Sequence, residues 1–140
     1  MILLDTDHLT VLTNRRHSSH LVLLSRLAGV TDPIYLPVIS VEEQMRGWLA
    51  RIRSAKSPHR LIGPYADFVD LIEGLEDWDI LRWDDVAAAN FVVLKKQFST
   101  IGNQDLKFAA QAQSRNALLL TANEKHFGKI PNLRIENWLA

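Results

Sequence analysis

Four short apolar runs stand out along the chain: Ile2–Leu4, Ile34–Leu36, Leu118–Leu120 and the weaker Ile80–Trp83. Runs this short, without polar alternation, read as strands buried on both faces. Leu133–Ile135 adds a candidate edge strand. Between the runs the spacing changes to that of helices. Val41, Met45, Trp48, Leu49 and Ile52 fall at i, i+4, i+7, i+8 and i+11, the apolar face of an amphipathic helix. Leu61, Tyr65, Phe68, Ile72 and Leu75 repeat the pattern, with Pro64 required either to start that helix or to kink it. Segments 86–98 and 103–115 read as two more helices, Asn103 being the expected N-cap of the second. Strands alternating with helices predict an α/β sandwich around a mainly parallel sheet of four to five strands. In such folds ligands sit beyond the carboxyl ends of the strands.

Length and composition narrow this picture. With 140 residues and no linker, repeat or low-complexity stretch, residues 1–140 read as a single domain. The absence of cysteine removes disulfides and zinc–thiolate sites, and agrees with a reducing compartment. The opening residues lack the pattern of a signal peptide and no apolar run reaches membrane length, so a cytoplasmic protein without a membrane partner is expected. Net charge is zero, but the charges are segregated. Five basic residues (Arg46, Arg51, Arg53, Lys56, Arg60) and no acid lie between Gln44 and Ala66, whereas eight acids and one base lie between Asp67 and Asp85. Two solvated helix surfaces would explain this as well as a face that steers a polyanion.

The candidate chemistry is carried by carboxylates. Asp5 directly follows the strand Ile2–Leu4 and opens the motif Asp5-Thr6-Asp7. Either acid could simply cap the helix that follows. Glu43 sits off the apolar stripe of its helix, with Gly47 one turn along the same face, which leaves space beside the carboxylate. Neighbouring Glu42 is placed to pair with Arg46 instead. Asp105 lies in a first helical turn, where the macrodipole alone would favour an acid. Each residue by itself has this plainer reading. Together they suit magnesium, which takes hard oxygen ligands and keeps several waters. The competing site chemistries lack their motifs: no Gly-x-Ser-x-Gly elbow, no phosphate-binding glycine loop, and no histidine pair at metal-ligand spacing.

At this point the pattern resembles the PIN-domain ribonucleases, in particular the VapC-like toxins of bacterial and archaeal toxin–antitoxin pairs. The resemblance rests on Met1–Leu9, with Asp5-Thr6-Asp7; on Ile39–Gly47, where the acid four before the glycine is Glu43; on Ile101–Ala110, with Asp105; and on Leu118–Phe127 followed by Ile130–Leu133. It implies a PIN-like α/β/α sandwich and an endoribonuclease that hydrolyses RNA phosphodiester bonds with Mg2+ or Mn2+. Asp5 and Asp105 would hold the metal and Glu43 would complete the catalytic triad of acids. Thr6, Asp7, Thr121, Asn123 and Glu124 would support it, Thr121 at the rim. The resemblance further implies a homodimer held inactive by a small antitoxin. Many members carry a fourth acid where this chain has Asn123, with Glu124 adjacent, which puts a second metal in doubt. Arg46, Arg51, Arg53 and Lys56 are the candidate RNA-phosphate contacts.

Two other readings compete. A haloacid-dehalogenase-type phosphatase would use Asp5 and Asp7, with Asp84-Asp85 after a later strand, but Leu9 departs from its first motif and its lysine motif is not evident. A catalytically inactive PIN-like domain that binds RNA or a partner would have no need to crowd three mutually repelling acids.

Overall fold

The computed structural model describes residues 1–139. The elements run β1 (Ile2–Leu4), α1 (Thr6–Thr13), α2 (His20–Ala28), β2 (Ile34–Pro37), α3 (Val38–Ser54), α4 (Ile62–Leu75), β3 (Asp79–Leu81), α5 (Asp85–Gln97), α6 (Asn103–Ser114), β4 (Leu118–Leu120), α7 (Glu124–Phe127) and β5 (Arg134–Glu136). A single turn of 3-10 helix, His59–Leu61, leads into α4. All the expected strands form, and they pair in one five-stranded sheet of order β3-β2-β1-β4-β5. Every pairing is parallel. None of the described helices is long and apolar enough to cross a membrane.

The strands are apolar throughout because the sheet is covered on both faces. Side chains alternate between two cores, as the two-residue period of a strand requires. Ile2 and Leu4 face one core with Leu36 and Leu120, sealed by Leu9 and Leu12 of α1, Leu23 and Leu27 of α2, Val41 of α3 and Leu71 and Leu75 of α4. Leu3 faces the other with Leu81 and Leu119, sealed by Leu94 of α5, Leu106 to Ala112 of α6 and Phe127 of α7. Gln111 is a fully buried polar residue of α6, whose amide Nε2 donates to the carbonyls of Leu81 and Arg82 at 3.3 and 3.1 Å. It thereby ties α6 to the end of the edge strand β3.

The strand order determines where a crevice can form. From the central β1 the chain winds first towards β2 and β3, then returns to lay β4 and β5 on the other side. The gap between β1 and β4 is therefore the switch point, where a crevice opens at the strands' carboxyl ends.

Several boundaries differ from the sequence expectation. The third strand is Asp79–Leu81 rather than Ile80–Trp83. Trp83 has left the sheet and packs edge-to-face on Phe91, ring centroids 6.2 Å apart. The cap of α6 is Gly102, extended at φ −60° and ψ 150°, and Asn103 is already helical. Leu49 belongs to the predicted apolar stripe of α3 yet is 48% exposed, because α3 outruns the sheet that covers its first turns. Pro64 sits in the first turn of α4, where its missing N–H costs no helical bond. Helix α2 had no clear sequence signature, since a histidine occupies its buried stripe. His20 is buried beside Leu23 and Leu27, its Nδ1 2.9 Å from the carbonyl oxygen of Val11.

The central position of β1 sets a stability expectation. Leu3 is fully buried, so Leu3→Ala should destabilise the protein by about 2–5 kcal/mol. Leu21 of α2 is 76% exposed, and Leu21→Ala should stay within about 0.5 kcal/mol of the wild type. Urea unfolding of the two variants checks the contrast, and equal losses would contradict the assignment of the core.

Candidate active site

A small pocket, of about 120 Å³, is lined by Asp5, Thr6, Asp7, Glu43, Asp105, Phe108, Asn123 and Phe127. The fold assembles it at the switch point. Asp5 stands at the end of β1, Asp7 lies in the first turn of α1, Asn123 follows β4, Asp105 lies in the first turn of α6, and Glu43 lies one turn inside α3. The three acids singled out from the sequence thus converge from three separate segments. Among the described residues, four carboxylates and no lysine or arginine line the pocket.

Asp5 is buried at 6% exposure and is also the N-cap of α1. The capping reading therefore holds, and the same residue also lines the pocket. Its Oδ1 accepts the backbone N–H of His8 at 2.9 Å and lies 2.9 Å from the Nδ1 of the same residue. Its Oδ2 has no hydrogen-bond partner among the described residues. Thr6 donates its hydroxyl to Oε2 of Glu43, which fixes that glutamate across the crevice from Asp5. The carboxyl of Asp7 is raised above its ordinary value, first by desolvation and then by the negative charge of Asp5, with His8 opposing the shift.

Asp105 Oδ2 lies 3.4 Å from the amide Nδ2 of Asn123 and 3.0 Å from Nδ1 of His126. Asn123 and His126 are themselves 3.1 Å apart, so Nδ1 either carries a proton towards Asp105 or accepts from Asn123. Asn123 therefore enters the pocket as a donor, while Glu124 is exposed and does not line it. Thr121 departs from its expected place at the rim. It is fully buried, and its hydroxyl oxygen accepts the N–H of Asn123 at 3.0 Å, which shapes the turn that presents Asn123.

Two residues that contact the acids of the pocket, without lining it, have no signature in the sequence analysis. His8 and His126 were set aside because neither is spaced like a metal ligand, and the useful sign was proximity to a motif acid. His8 lies three residues after Asp5, on the same side of a helical turn. His126 meets Asp105 through a contact spanning 21 residues, which no local pattern announces.

The donor set is entirely hard oxygen, which suits a magnesium-like cation. Among the described residues no three acidic or histidine groups close into a ready coordination shell.

The remaining sequence candidates lie outside this pocket. Glu42 pairs with Arg46 at 2.9 Å, as its spacing predicts. Arg51 lies 4.5 Å from the ring of Trp48 and 3.9 Å from Asp67 of α4. The basic stretch is thus partly compensated within the chain, because α4 folds back along α3 and brings the acidic segment against it. A methyl group on Gly47 would meet nothing within 4 Å, so internal packing does not require that glycine. Asp84, the acid on which a phosphatase reading relies, caps α5 through Ala87 N–H at 2.9 Å and pairs with Arg115 at 3.2 Å. Neither Asp84 nor Asp85 lines the pocket.

Comparison with known proteins agrees with this architecture. The family model of the PIN domain matches residues 2–133. Ribonuclease VapC2 of Haemophilus influenzae is 29% identical over 98% of this chain and 97% of its own length. Ribonuclease VapC1 of Haemophilus influenzae is 51% identical over 45 residues, a stretch covering 32% of this chain and 34% of that relative. In the crystal structure of VapBC2 from Rickettsia felis bound to a promoter DNA fragment, one chain aligns with a TM-score of 0.76. That alignment is at 27% identity and covers 99% of both chains. A matching family model over nearly the whole sequence, a parallel sheet of the same fold and acids gathered at its switch point lead to one conclusion: the chain belongs to the PIN-domain family.

Proposed function

We propose that this protein is a divalent-metal-dependent endoribonuclease, the toxin of a toxin–antitoxin pair. The observation that carries the proposal is the pocket itself, where Asp5, Asp7, Glu43 and Asp105 meet with no described lysine or arginine to neutralise them. Such a site favours a cation. Asp5, through its free Oδ2, and Asp105 would hold Mg2+ or Mn2+. A bound ion supplies an acidified water and polarises a phosphoryl oxygen. The chain's own groups do the rest. Glu43, which accepts from Thr6, would take a proton from the attacking water, and Asn123 would steady Asp105 through its amide. Phe108 and Phe127 close the floor against bulk water. The ribonuclease names of the relatives and the VapBC complex among similar structures support the same reading.

Two exposed apolar strips offer room for protein neighbours. One, on α4, comprises Ile62, Tyr65, Val69 and Ile72, and the other, on α5, comprises Val86 and Val93, with Val92 exposed on an adjoining face. We assign to them the second copy of a homodimer and a small antitoxin, since monomers rarely leave such strips uncovered. The protein would act in the cytoplasm, where its RNA substrate and antitoxin are found.

Among the candidate RNA contacts, Arg53 and Lys56 have no ion-pair partner among the described residues. Arg53 lies about 15 Å along the helix axis from Glu43, within reach of a strand threaded through the crevice. We assign phosphate binding chiefly to these two, with Arg46 and Arg51 contributing less because of their internal partners.

Three outcomes are expected. Purified protein should cleave RNA with added Mg2+ or Mn2+ and not in excess chelator. Asp5→Asn, Glu43→Gln and Asp105→Asn should each lose more than the roughly 10–100-fold typical of groups that merely support metal ligands. Full cleavage by Asp5→Asn would refute the assignment. Expression alone should arrest a bacterial host, and a short co-expressed partner should relieve the arrest. If wild type and Asp5→Asn prove equally harmless, the protein is not a toxin. Replacing Arg53 and Lys56 together with glutamine should flatten the salt dependence of RNA binding by about 1.4 in log–log slope, roughly 0.7 per lost single-strand phosphate contact. An unchanged slope would place these side chains outside the RNA path.

A further inference from the structure

We propose that His8 is a positioning residue for Asp5, and that the C-terminal tail, residues 137–139, fixes the tautomer in which it acts. The inference rests on the metal-dependent reading of the pocket and concerns how one ligand of that site is held. The His8 ring is fully buried, and both of its nitrogens are engaged. Nε2 lies 3.2 Å from the backbone nitrogen of Trp138, whose N–H donates to it. A backbone amide can only donate, so Nε2 carries no proton. The proton of the neutral ring is then on Nδ1, which lies 2.9 Å from Oδ1 of Asp5 and donates to it. Oδ1 also accepts the N–H of His8 at 2.9 Å. Two donors from one residue thus pin one carboxylate oxygen and leave Oδ2 as the oxygen available to the pocket.

A buried histidine usually needs no functional explanation, and this chain supplies the comparison. His20 is equally at home in the core, but its Nδ1 pairs with the backbone carbonyl of Val11 at 2.9 Å, so it links two segments of structure. The Nδ1 of His8 is directed instead at a pocket carboxylate. Its other partner is firmly held. The Leu139 carbonyl accepts from Ser19 Oγ at 3.1 Å, the Leu139 N–H donates to Asn137 Oδ1 at 2.9 Å, and Trp138 Nε1 donates to Glu136 Oε2 at 2.7 Å. Trp138 and Leu139 also pack against the core that contains Ile2 and Leu4. The last described residues therefore reach the first acid of the site through one imidazole. Such supporting partners orient a ligand before the cation arrives, and losing one costs about 10–100-fold in metal affinity or activity.

Three substitutions separate the two arms of the ring. In His8→Asn the amide nitrogen stands near the place of Nδ1 and can donate to Asp5, while the tail contact is lost. In His8→Gln the amide oxygen reaches the place of Nε2 and can accept from Trp138, while the donor to Asp5 is lost. His8→Leu removes both. The readouts are Mn2+ binding to the protein without RNA, followed by electron paramagnetic resonance, and kcat and KM for RNA cleavage at fixed Mn2+. His8→Gln and His8→Leu should weaken Mn2+ binding by about 10–100-fold and lower kcat with little change in KM for RNA. His8→Asn should stay near the wild type. Nitrogen-15 NMR of the metal-free wild type should show the ring protonated at Nδ1, and a chain ending at Glu136 should lose that preference and bind Mn2+ more weakly. Equal losses in the Asn and Gln variants, no loss in Gln, or a ring protonated at Nε2 would overturn the proposal. Should His8→Leu fail to fold, the comparison of Asn with Gln still decides, since both are polar and partly mimic the ring. A wild type that binds no Mn2+ would overturn the metal reading together with this one. A wild type that binds Mn2+ and a Gln variant that binds it as tightly would overturn the positioning role alone.

Discussion

Repulsion among four carboxylates in one small pocket is the constraint around which this structure is organised. Left alone, such a cluster would either protonate or push its members into solvent. The carboxyl of Asp7 is raised, first by desolvation and then by the charge of Asp5, both of which disfavour its ionised form. The other acids are supplied with donors: His8 for Asp5, Thr6 for Glu43, Asn123 for Asp105. The fold adds a further contribution. Asp5 caps α1 and Asp105 lies in the first turn of α6, so two helix N-termini present their partial positive charge to the cluster. Helix α1 starts directly after the central strand β1, and the first turn of α6 lines the same pocket through Asp105, so the two N-termini meet at the crevice.

This dependence explains which parts of the molecule were legible in the sequence. The central strands are short and wholly apolar, and the helices over 38–54 and 62–75 carry a clean stripe, so local pattern was enough to find them. The three principal acids could be placed because each stands at a position the fold defines, a strand end or an early helical turn. What local pattern could not give were contacts made across the chain. The charge block at 46–60 looked like a free basic face until Asp67 of α4 was brought towards Arg51. Thr121 looked like a rim residue because its place after a strand is that of a rim residue. Its side chain turns inward to hold the N–H of Asn123. The cap of α6 fell one residue early because Gly102 adopts the extended cap geometry without any side-chain bond, which composition alone does not announce.

His8 illustrates the same limit from the other side. Its spacing from Asp5 is visible in the sequence, but the partner that orients its ring is 130 residues away, and the tautomer follows from that partner. The two ends of the described chain meet at the site: the first strand provides Asp5, and the last described residues anchor the ring behind it. Tertiary contact here decides a chemical property, the location of a proton, which neither segment has by itself.

Asn123 shows how the chain balances the pocket against itself. An acid at this position would face Asp105 at the distance where the amide now lies, 3.4 Å from Oδ2. That would add a fifth negative charge to the pocket and remove a donor at once. The amide does the reverse, since it relieves Asp105 and leaves the cluster with less charge to attract a second cation. His126, 3.0 Å from the same oxygen, works in the same direction whenever its Nδ1 carries the proton. On the proposed metal-dependent reading, a site built this way would give up some affinity for metal in exchange for carboxylates that are held in place before metal arrives. On the same reading that exchange is workable, because the phosphates of the proposed RNA substrate would bring to the crevice the oxygen ligands that Asn123 withholds.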